Sequence, residues 1–404
     1  MLNLRGYAML AIALIPAVAA VAENSLLPAL TGKLKQGDPL KIVCFGDSVT
    51  GVYYHTGGRR AYTEILGLRL ADAFPKSSIQ AINAGVSGNT TVNALERIER
   101  DVLAHKPDLV TVMFGLNDMT RVPLEDYRTN LKAIIERCRA AGSEVVLCTS
   151  NNVEDTTDRP TAKLLEYAAV VREVADEQKV PLADCYNAFE DIRQKDVRAW
   201  SLLMSDEIHP NMDGHKQIAR TIALAMTGRE YDMDAAAPQP AIPHTIELIR
   251  EKEPVEVLAM PPYDTMLERV LGDLTPNSKL KVIPWEVAGK SMAEIEESAK
   301  AIRDNPPDLV FIAVPVDAEA PDFGAFKRHF TWTMNYALSF SLQEWDVVAV
   351  PPSFIAPVEG EAKERDAWSR QLIRAQDFEL IEGGGSPEAA EAALRVWLKK
   401  QLAE

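Results

Sequence analysis

Pro107-Asp108-Leu109-Val110 returns 200 positions later as Pro307-Asp308-Leu309-Val310. Upstream, Gly85-Val86-Ser87-Gly88-Asn89 stands against Glu286-Val287-Ala288-Gly289-Lys290 at a distance of 201. Downstream, Glu144-Val145-Val146 stands against Asp346-Val347-Val348 at 202. The runs that follow the first pair, Thr111-Val112-Met113-Phe114 and Phe311-Ile312-Ala313-Val314, also match in type. Register held across several elements at so long a period points to a duplicated domain. Solenoids and propellers repeat every 20–50 residues or so. This chain is therefore expected to fold twice in related ways.

The pattern within each half names the fold class. Short apolar, β-rich runs at 41–45, 79–83, 109–114, 144–149 and 180–185 read as strands. Between them lie helical patterns at 61–74, from 90 or 91 to about 105, at 123–142 and at 161–178, with a last helix at about 213–228. Thr90 or Thr91 suits an N-cap, and Pro123 suits the start of a helix. Strands alternating with helices imply a parallel sheet covered on both faces. Ala235-Ala236-Ala237-Pro238-Gln239-Pro240 has the composition of a linker. The expected organisation is residues 1–22 as an export signal, 23–228 as the first domain, 229–250 as linker and 251–404 as the second domain.

The signal rests on Arg5, an apolar stretch over residues 7–21, and the small residues of Ala20-Val21-Ala22 before Glu23. A secreted or periplasmic protein without stable membrane insertion is the expectation. The net charge of −16 argues against nucleic acid and anionic membrane surfaces as partners. The cysteines are Cys44, Cys138, Cys148 and Cys185. Cys44 and Cys148 lie in apolar runs and read as buried thiols, and no spacing suggests a metal or redox site.

Four blocks in the first half fit one chemistry. Gly46-Asp47-Ser48 follows the first strand, and Gly88 lies just after the second. Asn117, in Gly115-Leu116-Asn117-Asp118, follows the third. Asp206 and His209, in Asp206-Glu207-Ile208-His209-Pro210, precede the last helix. Open parallel sheets bind ligands at the carboxyl ends of their strands, where the first three blocks converge. Serine is a weak nucleophile and needs a base. His209 is suited to that role near neutral pH, and Asp206 can orient its ring. Each residue alone is more simply a turn residue; the set is what points to catalysis.

In order and spacing the blocks resemble the SGNH-hydrolase family, also called GDSL esterases and lipases, over residues 41–228. Val49 stands where the family name has leucine. The resemblance implies a flavodoxin-like α/β/α sandwich and ester hydrolysis through an acyl-enzyme. It further implies Ser48, Asp206 and His209 as catalytic residues. The oxyanion hole would be the backbone N–H groups of Ser48 and Gly88 with the Asn117 amide. No cofactor or metal is implied. His215 is expected to be structural, and Asp47 and Asp118 to hold turns.

The expected substrate is a small-molecule or carbohydrate ester, with carbohydrate deacetylation as the leading reading. Lysophospholipase or thioesterase activity is the alternative. A binding or scaffolding role for the second half is a rival of another class. That half holds Trp285, Trp332, Trp345, Trp368 and Trp397, which would suit a sugar-stacking platform if exposed and coplanar, although buried core is the more common role for tryptophan. The second half is expected to be catalytically silent. Met260-Pro261-Pro262 replaces the serine turn, Asp317 aligns with Asn117, and Gly383-Gly384-Gly385-Ser386-Pro387 stands in place of the histidine block.

Overall fold

The computed structural model describes residues 27–403. The expected signal at 1–22 lies outside the described residues. Two parallel sheets organise the chain. The first runs β2-β1-β3-β4-β5, with β1 Leu40–Gly46, β2 Ile79–Gly85, β3 Leu109–Met113, β4 Glu144–Cys148 and β5 Leu182–Ala183. This is the flavodoxin-like strand order. The second runs β7-β6-β8-β9, with β6 Pro254–Ala259, β7 Lys279–Pro284, β8 Leu309–Ile312 and β9 Asp346–Ala349. Its four strands repeat the order of the first four strands of sheet one, all in parallel pairs.

The central strands read as apolar runs because helices cover both sides of them. Ile42, Val43, Cys44 and Phe45 of β1 have no exposed surface, and β3 is buried along its length. A second, separate core gathers Val257, Val310, Phe311 and Leu394. All four cysteines are buried free thiols.

Two expectations need correction. The run at 180–185 yields only the two-residue β5, because Asp184 caps a following helix. Its carboxylate accepts the Asn187 N–H and pairs with Arg172, which ends the strand and starts helix Cys185–Lys195. The linker expected at 229–250 is irregular only to 242. Pro243 opens helix Pro243–Glu251, at the position where a missing N–H costs nothing. The irregular part is also held down. Arg59 donates to the carbonyls of Pro238 and Pro240, Arg60 to that of Ala236, and Met233 is buried in the first core. The tryptophans follow the buried-core reading rather than the platform. Trp285, Trp345 and Trp397 are buried in the second core, where their size fills volume between helices and sheet.

Candidate active site

β1 ends at Gly46, which needs to be glycine for lack of space. A Cβ there would stand 2.0 Å from Thr50 Oγ1 and 2.7 Å from the Met113 carbonyl oxygen. That close approach lets the chain turn directly into Asp47-Ser48-Val49. Asp47 holds the turn: its Oδ1 accepts the Val49 N–H at 3.0 Å. Burial pushes the Asp47 carboxyl up to about 6 against the opposing effect of that bond.

The turn presents Ser48 to the loop before helix Met212–Thr227. Ser48 Oγ lies 2.9 Å from His209 Nε2, and His209 Nδ1 lies 2.8 Å from Asp206 Oδ2. The other oxygen, Asp206 Oδ1, accepts the N–H groups of Ile208 (2.8 Å) and His209 (2.7 Å), which fixes the carboxylate within its own loop. Burial would raise the Asp206 carboxyl, but the charge of His209 and its hydrogen bonds hold it well below the usual carboxylate range. Burial would lower His209, but the Asp206 charge and hydrogen bond reverse this and raise it above its ordinary 6.5. The result is an imidazole poised beside a hydroxyl, with an anion behind it.

The second and third blocks close the site. Gly88 has φ +74°, and a Cβ there would meet nothing within 4 Å. The turn conformation, rather than close packing, is what calls for glycine. Among the described residues, the backbone N–H groups of Ser48 and Gly88 have no acceptor. The Asn117 amide does. It donates to Asp47 Oδ2 at 3.2 Å and to the Asn89 carbonyl at 3.1 Å, tying the three blocks together. Asp118 accepts from both the backbone N–H and the hydroxyl of Thr91, so it links the third turn to helix Thr91–Asp101 rather than holding only its own turn. His215 is buried on the last helix of this domain and accepts the Tyr62 N–H at 3.0 Å, a structural role.

Several residues at the site were not singled out from the sequence. Arg97 donates to the carbonyls of Gly46 and Ala84 and to the Asn89 side chain, pinning together the ends of β1 and β2. Tyr53 accepts the Ser87 N–H at 2.8 Å. His55 stacks on His209, with ring centroids 4.0 Å apart and planes 20° apart. The chain has only six histidines, and one lying seven residues after Ser48 was the available signal. His55, Asp206 and His209 each bring a ligand-type atom within 4.8 Å of the others. The His209–Asp206 hydrogen bond and the stacking of His55 on His209 account for that grouping.

A serine within hydrogen-bond reach of an imidazole, beside unpaired backbone donors at the end of a parallel sheet, is an arrangement able to hydrolyse a carboxylic ester. Comparison with known proteins agrees. Residues 44–217 match the GDSL-like lipase/acylhydrolase family model. An acetylxylan esterase of Geobacillus stearothermophilus is 30% identical over 210 residues, which span 46% of this chain and 94% of that enzyme. An arylesterase of Vibrio mimicus is 26% identical over 184 residues, 45% of this chain and 86% of that one. A crystal structure of the Geobacillus acetylxylan esterase covers 47% of this chain and 95% of its own, at 27% identity and a TM-score of 0.42. The chain belongs to the GDSL-like lipase/acylhydrolase (SGNH) family, and it is a carboxylic ester hydrolase.

Proposed function

We infer that this protein is an exported esterase that removes acetyl groups from carbohydrates by way of an acyl-enzyme on Ser48. The observation that carries the mechanism is the hydrogen-bonded series Ser48–His209–Asp206. Ser48 Oγ attacks the ester carbonyl as its proton passes to His209 Nε2. The bond to the alcohol then breaks, and His209 returns the proton to the departing oxygen. Water, deprotonated by His209 in turn, releases the acid and restores Ser48. Asp206 keeps the ring oriented and stabilises the imidazolium. The oxyanion takes the N–H groups of Ser48 and Gly88. It takes the Asn117 amide as well when one of that group's two long hydrogen bonds, at 3.1 and 3.2 Å, is exchanged.

The substrate class is supported by the acetylxylan esterase relative and by one surface feature. Phe340 of the second half is 56% exposed and meets Tyr53 edge-on, with centroids 5.6 Å apart. Tyr53 in turn holds Ser87, next to Gly88. An exposed aromatic linked through Tyr53 to the turn that carries Gly88 suits the apolar face of a sugar ring. The test compares acetylated xylo-oligosaccharides with a long-chain acyl ester. Preference for the acetylated sugar by at least about tenfold in kcat/KM is expected, in keeping with differential transition-state binding. Preference for the long chain would give the lysophospholipase or thioesterase reading instead. Export is tested by N-terminal sequencing of the mature protein, which should begin at Glu23.

The second half is read as a degenerate copy of the first. Helix Pro28–Gln36 before β1 and helix Pro243–Glu251 before β6 add a matching element, each opening on proline.

A further inference from the structure

The second domain reaches the proposed catalytic loop through a buried series of hydrogen bonds. Gln376 Nε2 donates to Asn335 Oδ1 at 2.5 Å, and Asn335 Nδ2 donates to Ser205 Oγ at 3.0 Å. Ser205 Oγ lies 3.1 Å from His55 Nδ1, and His55 Nε2 lies 3.7 Å from Asp206 Oδ2. Ser205 immediately precedes Asp206, and its own N–H donates to the His209 carbonyl at 2.8 Å. All four of Gln376, Asn335, Ser205 and His55 are buried.

The direction of this series follows from its donors and acceptors. Asn335 Oδ1 is taken by the Gln376 amide, so the Asn335 NH₂ faces Ser205. A Ser205 oxygen that receives that hydrogen turns its own hydrogen onto His55 Nδ1. The alternative contact, from Ser205 to Asn335 Oδ1, is long at 3.4 Å. The hydrogen of a neutral His55 is then on Nε2, on the side of Asp206. Burial, reinforced by the charge of His209, lowers His55 well below the ordinary imidazole range and keeps it neutral. A neutral ring stacked flat on His209 limits the rotation of that imidazole and shields it from water.

We propose that Gln376, Asn335 and Ser205, acting through His55, are positioning residues for the His209–Asp206 pair, which makes the second domain a working part of the active site. This rests on the reading of Ser48, His209 and Asp206 as the catalytic residues. The loop from Asp206 to Pro210 has little regular structure of its own. Its internal bonds fix the carboxylate to the histidine backbone; the series from the second domain fixes where that unit sits relative to Ser48. Errors of about 1 Å in such placement cost up to about 100-fold in rate.

The groups that set the titration of His209 are few. Asp206 and His55 lie beside it, Asp47 lies under Ser48, and Arg159 and buried His215 act from farther off. Lys327, on helix Phe323–Ala337 of the second domain, faces Asp206 along with Glu154 and Glu207.

The test uses the full-length protein with p-nitrophenyl acetate, counting active sites with a fluorophosphonate. Asn335→Leu and Ser205→Ala should each lower kcat per active site by about 10- to 100-fold, with KM changed by less than about threefold. The acid limb of the kcat/KM profile should move to lower pH, because a displaced Asp206 no longer raises His209. Ser205→Thr, which keeps the hydroxyl, should recover most of the rate. A lowered melting temperature with kcat and acid limb unchanged would show a merely structural contact and overturn the proposal. His55→Phe, which keeps a stacked ring but ends the series, carries the same test should Asn335→Leu fail to fold. Ser48→Ala separates the two levels: turnover retained there defeats the catalytic assignment itself. Turnover lost there but normal in Asn335→Leu, Ser205→Ala and His55→Phe defeats only the role of the second domain.

Discussion

The two sheets share a frame but differ at their chemical ends. Asp108 and Asp308 occupy equivalent places: each accepts a strand N–H through its Oδ2, from Lys41 at 2.8 Å and from Glu256 at 2.7 Å. Each returns its own N–H to the carbonyl of that same residue at 2.9 Å. Each also binds a cationic or imidazole group on the helix that precedes its sheet, Lys33 in one case and His244 in the other. Gly88 at φ +74° is matched by Gly289 at +72°. The difference lies where β1 ends. β1 stays paired with β3 as far as Gly46 and Met113, whereas β6 leaves β8 at Ala259 and Phe311. In the first sheet, the loop from Asp47 to Ala61 then carries Ser48, Tyr53 and His55 before helix Tyr62–Ala73. In the second, Met260-Pro261-Pro262 leads straight into helix Tyr263–Leu274. Bonds internal to the sheet occur in both halves; the loop proposed to do the chemistry occurs in one. The same loop grips the other domain, through Arg60 paired with Asp377 and through Gly58, whose carbonyl accepts the Gln343 N–H.

The sharpest way to break the comparison is to remove the one proposed nucleophile. Ser48→Ala should fold normally and lose about 10⁵–10⁶ in kcat. A fluorophosphonate should label the wild type at Ser48 and leave 254–403 unlabelled. Labelling in the second half would mean that this half is not silent.

Asp206→Asn should lower kcat by about 10⁴, since the wrong tautomer of His209 then faces Ser48. The pH profile gives an independent reading. In the wild type, kcat/KM should rise with pH as His209 loses its proton, with a midpoint above 6.5 because Asp206 raises it. Without the carboxylate that midpoint should fall. Asn117→Ala should follow with a loss of about 10²–10³ in kcat and little change in KM. An effect on KM alone would leave Asn117 as the tie between Asp47 and Asn89.

The matched glycines separate strain from chemistry. Alanine at either Gly88 or Gly289 adopts a left-handed conformation at a cost of about 1–2 kcal/mol, and neither Cβ meets a neighbour within 4 Å. Thermal melts of Gly88→Ala and Gly289→Ala should therefore drop by similar amounts. Only Gly88→Ala should slow turnover. Equal activity in both would remove Gly88 from the proposed oxyanion hole.

What was legible in the sequence follows the same division. The strand runs of the first half are local patterns set by burial and backbone pairing, so that sheet was readable in order, and the recurrence of Asp108 at Asp308 pointed to a related second sheet. Ser48, Asp206 and His209 could be proposed from the sequence because each sits in a short block with its own turn chemistry, and the structure brings the three together. His55, Ser205, Asn335 and Gln376 were not, because their meaning comes from contacts between residues as far apart as 55 and 376. A buried amide on a helix, such as Asn335, carries no local mark of its partner. The 229–250 stretch misled for a simpler reason: proline opens helices as well as linkers, and Pro243 does the former.

The smallest predicted effect concerns the tyrosine that opens the helix after the first strand in each half. Tyr62 and Tyr263 each begin the helix that follows the first strand, and both are buried. The Tyr62 hydroxyl lies 3.0 Å from Thr50 Oγ1, a residue of the serine-bearing loop. The second domain has no such loop, and among the described residues the Tyr263 hydroxyl has no hydrogen-bond partner. Burying an unpaired hydroxyl costs about 1–3 kcal/mol, whereas a phenyl ring of the same shape has nothing to satisfy. Tyr263→Phe should therefore raise stability, or at the least leave it unchanged. Tyr62→Phe should lower it by about 1 kcal/mol, since it strands Thr50. Urea melts of the two variants measure the contrast directly, with unchanged slopes showing that stability alone has moved. The opposite ranking would mean that Tyr263 has a partner of its own. The orphaned hydroxyl would then no longer be a relic of a lost serine loop, and the case for a copy that shed its active site would rest on the strand order and the Asp108–Asp308 correspondence alone.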